Sequence, residues 1–138
     1  MVVDPSNPIG VDENGQMTRT LPDHQSAGSV VAALLPAGAH YVKAFGTLSA
    51  DSLASTANRE PRRAVLFYAA DDDAGAAEVE RLISAAGFDP FKLGGVADAG
   101  RIEVPGGDLH QGGGLNGQLL DLDQARSAVA AGPTPVAT

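Results

Sequence analysis

The chain has 138 residues, enough for one domain with a buried core and hardly for two. It is 43% apolar with only 4% aromatics and a net charge of −8, so nucleic acid and anionic membrane surfaces are excluded as partners. It contains no cysteine, which removes disulfides, thiol nucleophiles and zinc-thiolate sites. No apolar run reaches transmembrane length, and "MVVDPSNP" lacks the design of a signal peptide, so a cytoplasmic location is expected.

In chain order, Val2, Val3 and Asp4 read as the last residues of a strand running into the turn "PSNPIG". A strand beginning at the initiator methionine reads as a chain that starts in mid-element. "VDENGQMTRTLPDHQ" is a polar loop with a turn at Asn14-Gly15. Ser26 can cap a short helix over Ala27 to Leu35, stopped by Pro36. His40 to Phe45 reads as a strand, and "GTLSADSLAS" as a turn with a weak helix.

After the linker "ANREPRR", the run "AVLFYAA" (Ala64 to Ala70) has no polar alternation, as expected of a strand covered on both faces. Asp71 or Asp72 then caps a helix whose stripe is Ala76, Val79, Leu82, Ile83 and Ala86, with Gly87 as its stop. "FDPFKLGG" is a further short strand. The alternation predicts an α/β fold with a parallel sheet flanked by helices, occupying residues 1–120, and a terminal helix with a frayed tail over residues 121–138.

Gly112, Gly114 and Gly117 in "HQGGGLNG" spell the dinucleotide fingerprint G-x-G-x-x-G. That fingerprint needs a buried strand before it and a helix after it. Here Pro105, Gly106 and Gly107 break the upstream segment, and Asp121 and Asp123 put negative charge downstream, so the match is read as coincidental. Asp71 to Asp73 fit a helix cap better than a magnesium site. His24, His40 and His110 lack metal-ligand spacing, and His110 reads as a surface or turn histidine. Ser49, Ser52 and Ser55 have no nucleophile-elbow context.

Five stretches, "VVDPSNPIG", "SAGSVVAALLP", "YVKAFGTLSADSLAS", "AVLFYAADDDAGAAEVERLISAAGFDPFKLGGV" and "RIEVPGGDLH", together resemble the NADPH-dependent coenzyme F-420 reductases, from Val2 to about His110. The module also resembles the cytosolic reductase part of the six-transmembrane metalloreductases. The resemblance implies a Rossmann-like fold lacking its N-terminal βαβ nucleotide-binding half, roughly 70–80 residues that carry the fingerprint.

It further implies NADP(H) and a deazaflavin or flavin as cofactors. Asn7 and Pro8 would meet the nicotinamide-ribose side, and Lys43, Gly46 and Thr47 would line the ring cleft. Gly46 stands where the family often has asparagine, which leaves the second cofactor's identity open. Without the resemblance, Asn7-Pro8 is a plain turn, Lys43 a solvated or salt-bridged lysine, and Phe45 core. The expected function is an oxidoreductase passing hydride between NADP(H) and the deazaflavin, inactive as an isolated chain. The alternatives are a non-catalytic remnant or interaction module, with a homo-oligomer expected, and a Rossmann-like dehydrogenase of a small carbonyl substrate.

Overall fold

A computed structural model describes residues 1–133. Its elements are β1 (Val2–Asp4), β2 (Ile9–Val11), β3 (Met17–Arg19), α1 (Ala27–Leu34), β4 (Tyr41–Lys43) and α2 (Ala50–Ser55), then β5 (Val65–Ala70), α3 (Asp73–Ala85), β6 (Asp89–Gly94) and α4 (Leu122–Ala131). A 3-10 helix, Val96–Ile102, lies between β6 and the glycine-rich segment. The tail beyond residue 133, expected to fray, lies outside the described residues.

The architecture is α/β: a four-stranded sheet in the order β1-β4-β5-β6, flanked by helices. The β1–β4 and β5–β6 pairs are parallel, as expected. The β4–β5 pair is antiparallel, with Val42 opposite Ala70, which corrects the expectation of uniform strand direction. A run of buried apolar residues encodes coverage on both faces but not the direction of its neighbour.

β5 is buried along its whole length, and its alternating side chains divide the core. Leu66, Tyr68 and Ala70 pack on one face with Ala76, Val79 and Ile83 of α3. Val65, Phe67 and Ala69 pack on the other with Ile102, Leu109 and Ala125 of α4. Phe67 meets Phe91 of β6 edge-to-face, with ring centroids 5.5 Å apart. Each fully buried aliphatic side chain contributes about 1.5–3 kcal/mol of transfer free energy.

The caps fall where side-chain chemistry places them. Ser26 and Ser29 form a reciprocal capping box at α1, and the Asp72 carboxylate accepts from the Gly75 amide at the start of α3. Asp71 accepts instead from the Val96 amide (2.8 Å), tying the end of β5 to the 3-10 helix. Leu82 and Ala86, expected on the buried stripe of α3, are exposed.

The polar segment after β1 is not a plain loop. Ile9–Val11 and Met17–Arg19 pair as an antiparallel hairpin, Ile9 opposite Arg19 and Val11 opposite Met17. Its turn is built by Asp12, whose carboxylate accepts from the amides of Asn14 and Gln16 (2.8 Å each).

Candidate functional site: a cleft at the ends of two parallel strands

Because β1 and β4 are parallel and adjacent, the segments leaving their carboxyl ends emerge side by side, the usual place for ligands in such sheets. A cleft of about 410 Å³ opens there. Asn7 and the hairpin residues Ile9, Met17 and Thr18 form one wall; Val104, Pro105 and Gly106 form the other; Gly46, Leu48, Ser49, His110 and Gly112 complete the lining. The walls are mostly apolar, and among the described residues no lysine or arginine lines the cleft.

Asn7 joins three segments. Its Nδ2 donates to the Gly46 carbonyl (3.3 Å), and its Oδ1 accepts from the Val104 amide (2.9 Å). Both ends of the side-chain amide therefore hold the chain itself. Gly46 is required by close approach, since a Cβ there would lie 2.4 Å from the Pro5 carbonyl oxygen. Phe45, just before it, sits at φ 67°, a left-handed conformation unusual for a bulky residue, with its ring packed against the core.

His110 lies in a turn-rich segment, as one of the two expectations had it, but is only 7% exposed and so is not a surface residue. The Gly112 amide donates to its Nδ1 (2.9 Å), and the ring also meets the Gly46 carbonyl. Burial pushes the imidazole below the ordinary histidine value, outweighing the opposite pull of that carbonyl. His110 is thus a neutral staple between the glycine-rich segment and the cleft floor.

Gln111 completes the attachment: its amide donates to the Thr47 carbonyl (2.9 Å) and its Oε1 accepts from the Ser49 amide (2.9 Å). Arg19 fastens the hairpin to the opposite wall, donating to the carbonyls of Pro105 and Leu21 (3.0 Å each).

Beneath the cleft lies a buried charged network. Lys43, 1% exposed, donates to the Ser6 carbonyl; its ammonium stands 3.2 Å from Glu103 and 3.6 Å from Asp4. Glu103, also 1% exposed, accepts from the amides of Ala27 (2.7 Å) and Gly28 (2.9 Å) in the first turn of α1. Asp4 accepts from the Ser6 amide and the Tyr41 hydroxyl. Burial pushes the Asp4 carboxyl up, but the hydrogen bonds from Ser6 and Tyr41, with the Lys43 charge, hold it below its ordinary value. Burial and then the Asp4 carboxylate push the Tyr41 hydroxyl far above its own.

Of the residues singled out from sequence, Asn7 and Gly46 line the cleft. Pro8, Lys43 and Thr47 are buried and do not. The Thr47 hydroxyl has no hydrogen-bond partner among the described residues. Sequence reasoning missed Ile9, Met17, Leu48, Val104 and His110. The alternating apolar residues on either side of Asp12 to Gly15 carried a hairpin signal that would have found the first two.

The fingerprint-like glycines belong to turns. No strand leads into Gly112, and no helix begins until Leu122. A Cβ at Gly114 would lie 2.5 Å from the Asp108 carbonyl oxygen, and Gly117 sits at φ 86°, a conformation that favours glycine. Close packing of the loop on itself explains the first and backbone conformation the second. Among the described residues no group of three or more His, Cys, Asp or Glu side chains is arranged to hold a metal ion. No helix there is long and apolar enough to cross a membrane.

No family model matches the chain. No curated protein matches it either. Solved structures do. A hypothetical protein from Sinorhizobium meliloti is 32% identical, with a TM-score of 0.68 over 86% of this chain and 53% of its own. A provisionally assigned F-420-dependent NADP-reductase from Arthrobacter sp. FB24 is 26% identical, with a TM-score of 0.60 over 70% of this chain and 44% of its own. The chain spans about half the length of these two structures. It shares an α/β reductase-like fold with them.

Proposed function

We propose that the chain forms the ring-binding part of an NADP(H)-dependent oxidoreductase, its cleft taking a deazaflavin or flavin ring against a nicotinamide. The observation that carries this reading is the character of the cleft. It lies at the carboxyl ends of parallel β1 and β4, with apolar walls and a backbone-lined floor at Gly46. Its volume of about 410 Å³ is within the ordinary size of small-molecule sites. The absence of lysine and arginine from its lining suits an uncharged flat ring and not a pyrophosphate. The likeness to the Arthrobacter structure supports oxidoreductase chemistry of this class.

The cofactors would supply the direct transfer of hydride between two rings, and the chain would hold, orient and dry them. Ile9, Met17, Leu48 and Val104 would flank the ring faces, and Gly46 would let a ring edge approach the backbone. Asn7 and His110 would act by fixing the floor, since their polar atoms are engaged within the chain. Pro8, Lys43 and Thr47 would support the cleft from beneath. The test is fluorescence titration of the 138-residue chain with coenzyme F-420 and with riboflavin, a neutral flavin without phosphate. Saturable binding of both is expected; a folded chain that binds neither overturns the reading.

A second reading, a non-catalytic interaction module, draws on exposed apolar side chains: Val11 at 71%, Met17 at 73% and Leu34 at 79% exposure. Sedimentation across a concentration series would favour it if the chain self-associates while binding neither ring.

A further inference from the structure

We propose that Lys43 is a positioning residue that sets the width of the cleft by tying its two walls together from below. An ammonium has three donors and no acceptor, and here the acceptors come from different segments. The Ser6 carbonyl belongs to the segment that carries Asn7 into one wall. The Glu103 carboxylate, 3.2 Å away, immediately precedes Val104 and Pro105 of the other. Asp4, at 3.6 Å, anchors the same ammonium to the end of β1.

Glu103 passes the constraint upward. Its carboxylate is fixed by the Ala27 and Gly28 amides, while its carbonyl accepts from the Gly107 amide (2.8 Å), closing the turn that makes the second wall. The Val104 amide then reaches across to Asn7. The two walls are therefore linked by the Asn7 side chain at the floor, by Arg19 of the hairpin to the Pro105 carbonyl, and by Lys43 below them. At 1% exposure the lysine has no solvent to turn to, so its reach fixes the spacing.

The binding readout of this proposal rests on the ring-site reading; its exchange readout does not. The test is amide hydrogen exchange and riboflavin titration on the full chain, comparing wild type with the neutral near-isosteric variant Asp4→Asn/Lys43→Met/Glu103→Gln. The expected result is exchange about tenfold faster at Ser6, Asn7, Val104 and Gly107 together, unchanged exchange in β5, and riboflavin affinity lowered about tenfold. Glu103→Asp keeps the charge but shortens the reach. It should loosen Val104 and Gly107 while leaving Ser6 and Asn7 held by Lys43.

Wild-type exchange at both walls in the folded triple variant overturns the proposal, as does equal loosening of both walls by Glu103→Asp. If the triple variant does not fold, Glu103→Asp decides alone. If wild type binds no riboflavin, the ring-site reading fails and the exchange pattern still decides this one.

Discussion

The Lys43 ammonium and the Glu103 carboxylate stand 3.2 Å apart beneath the cleft, each residue 1% exposed. A buried pair of this kind is weak evidence for added stability, but breaking it is costly because one charge is left without compensation. Lys43→Ala should destabilise the fold by about 3–5 kcal/mol, measured by urea denaturation at neutral pH. A loss below about 1 kcal/mol would show that water reaches the carboxylates freely.

Gly46→Ala tests the close approach of the strand end to Pro5. A methyl group would sit 2.4 Å from a carbonyl oxygen that belongs to the backbone and cannot swing aside. The substitution should cost about 1–3 kcal/mol and weaken riboflavin binding, read by denaturation and titration on the same sample.

Met17→Asp probes the hairpin wall with little risk to the fold, because Met17 is 73% exposed yet lines the cleft. Removing that apolar surface and adding a carboxylate should lower riboflavin affinity about tenfold, equivalent to about 1.4 kcal/mol. The urea midpoint should stay near that of wild type.

His110 predicts a pH dependence. Its folded value lies below the ordinary 6.5 because burial disfavours the imidazolium. As pH falls through 6.5 the unfolded chain takes up a proton that the folded chain refuses, so stability falls with pH down to the folded value. Urea midpoints measured between pH 8 and pH 5 should decline on the acid side, and His110→Gln should flatten part of that slope.

The Asp4 carboxyl acts at lower pH. Held below its ordinary value of 3.8, it contributes stability present above that value and lost as pH falls through the folded one. Asp4→Asn should therefore blunt the steepest part of acid unfolding, followed by circular dichroism.

The elements legible in the sequence were those whose signals are local. "AVLFYAA" declared a strand covered on both faces, and Ser26 and the pair Asp71-Asp72 declared the starts of α1 and α3, the α3 cap falling to Asp72, whose side chain bonds its own first turn. The hairpin was harder to see because its strands are three residues long and its turn depends on Asp12 reaching Asn14 and Gln16. The direction of β5 against β4 left no local trace.

The cleft lining was legible at Asn7 and Gly46 only through the family resemblance, since Asn7-Pro8 by itself reads as a plain turn. It was not legible where partners are distant in sequence. Lysine usually stays in solvent, and nothing near Lys43 announces Asp4 or Glu103. His110 was hidden in the same way, since its burial is produced by the return of the glycine-rich loop over Gly46.

The first turn of α1 carries its own internal counter-anion. Helix starts are natural receptors for phosphoryl oxygens, because their free amides and dipole both favour negative charge. Here the amides of Ala27 and Gly28 are already taken by Glu103. Inorganic phosphate in the buffer therefore finds no vacancy on that helix, and a dinucleotide seated in the cleft would have its diphosphate bridge gripped by groups other than α1.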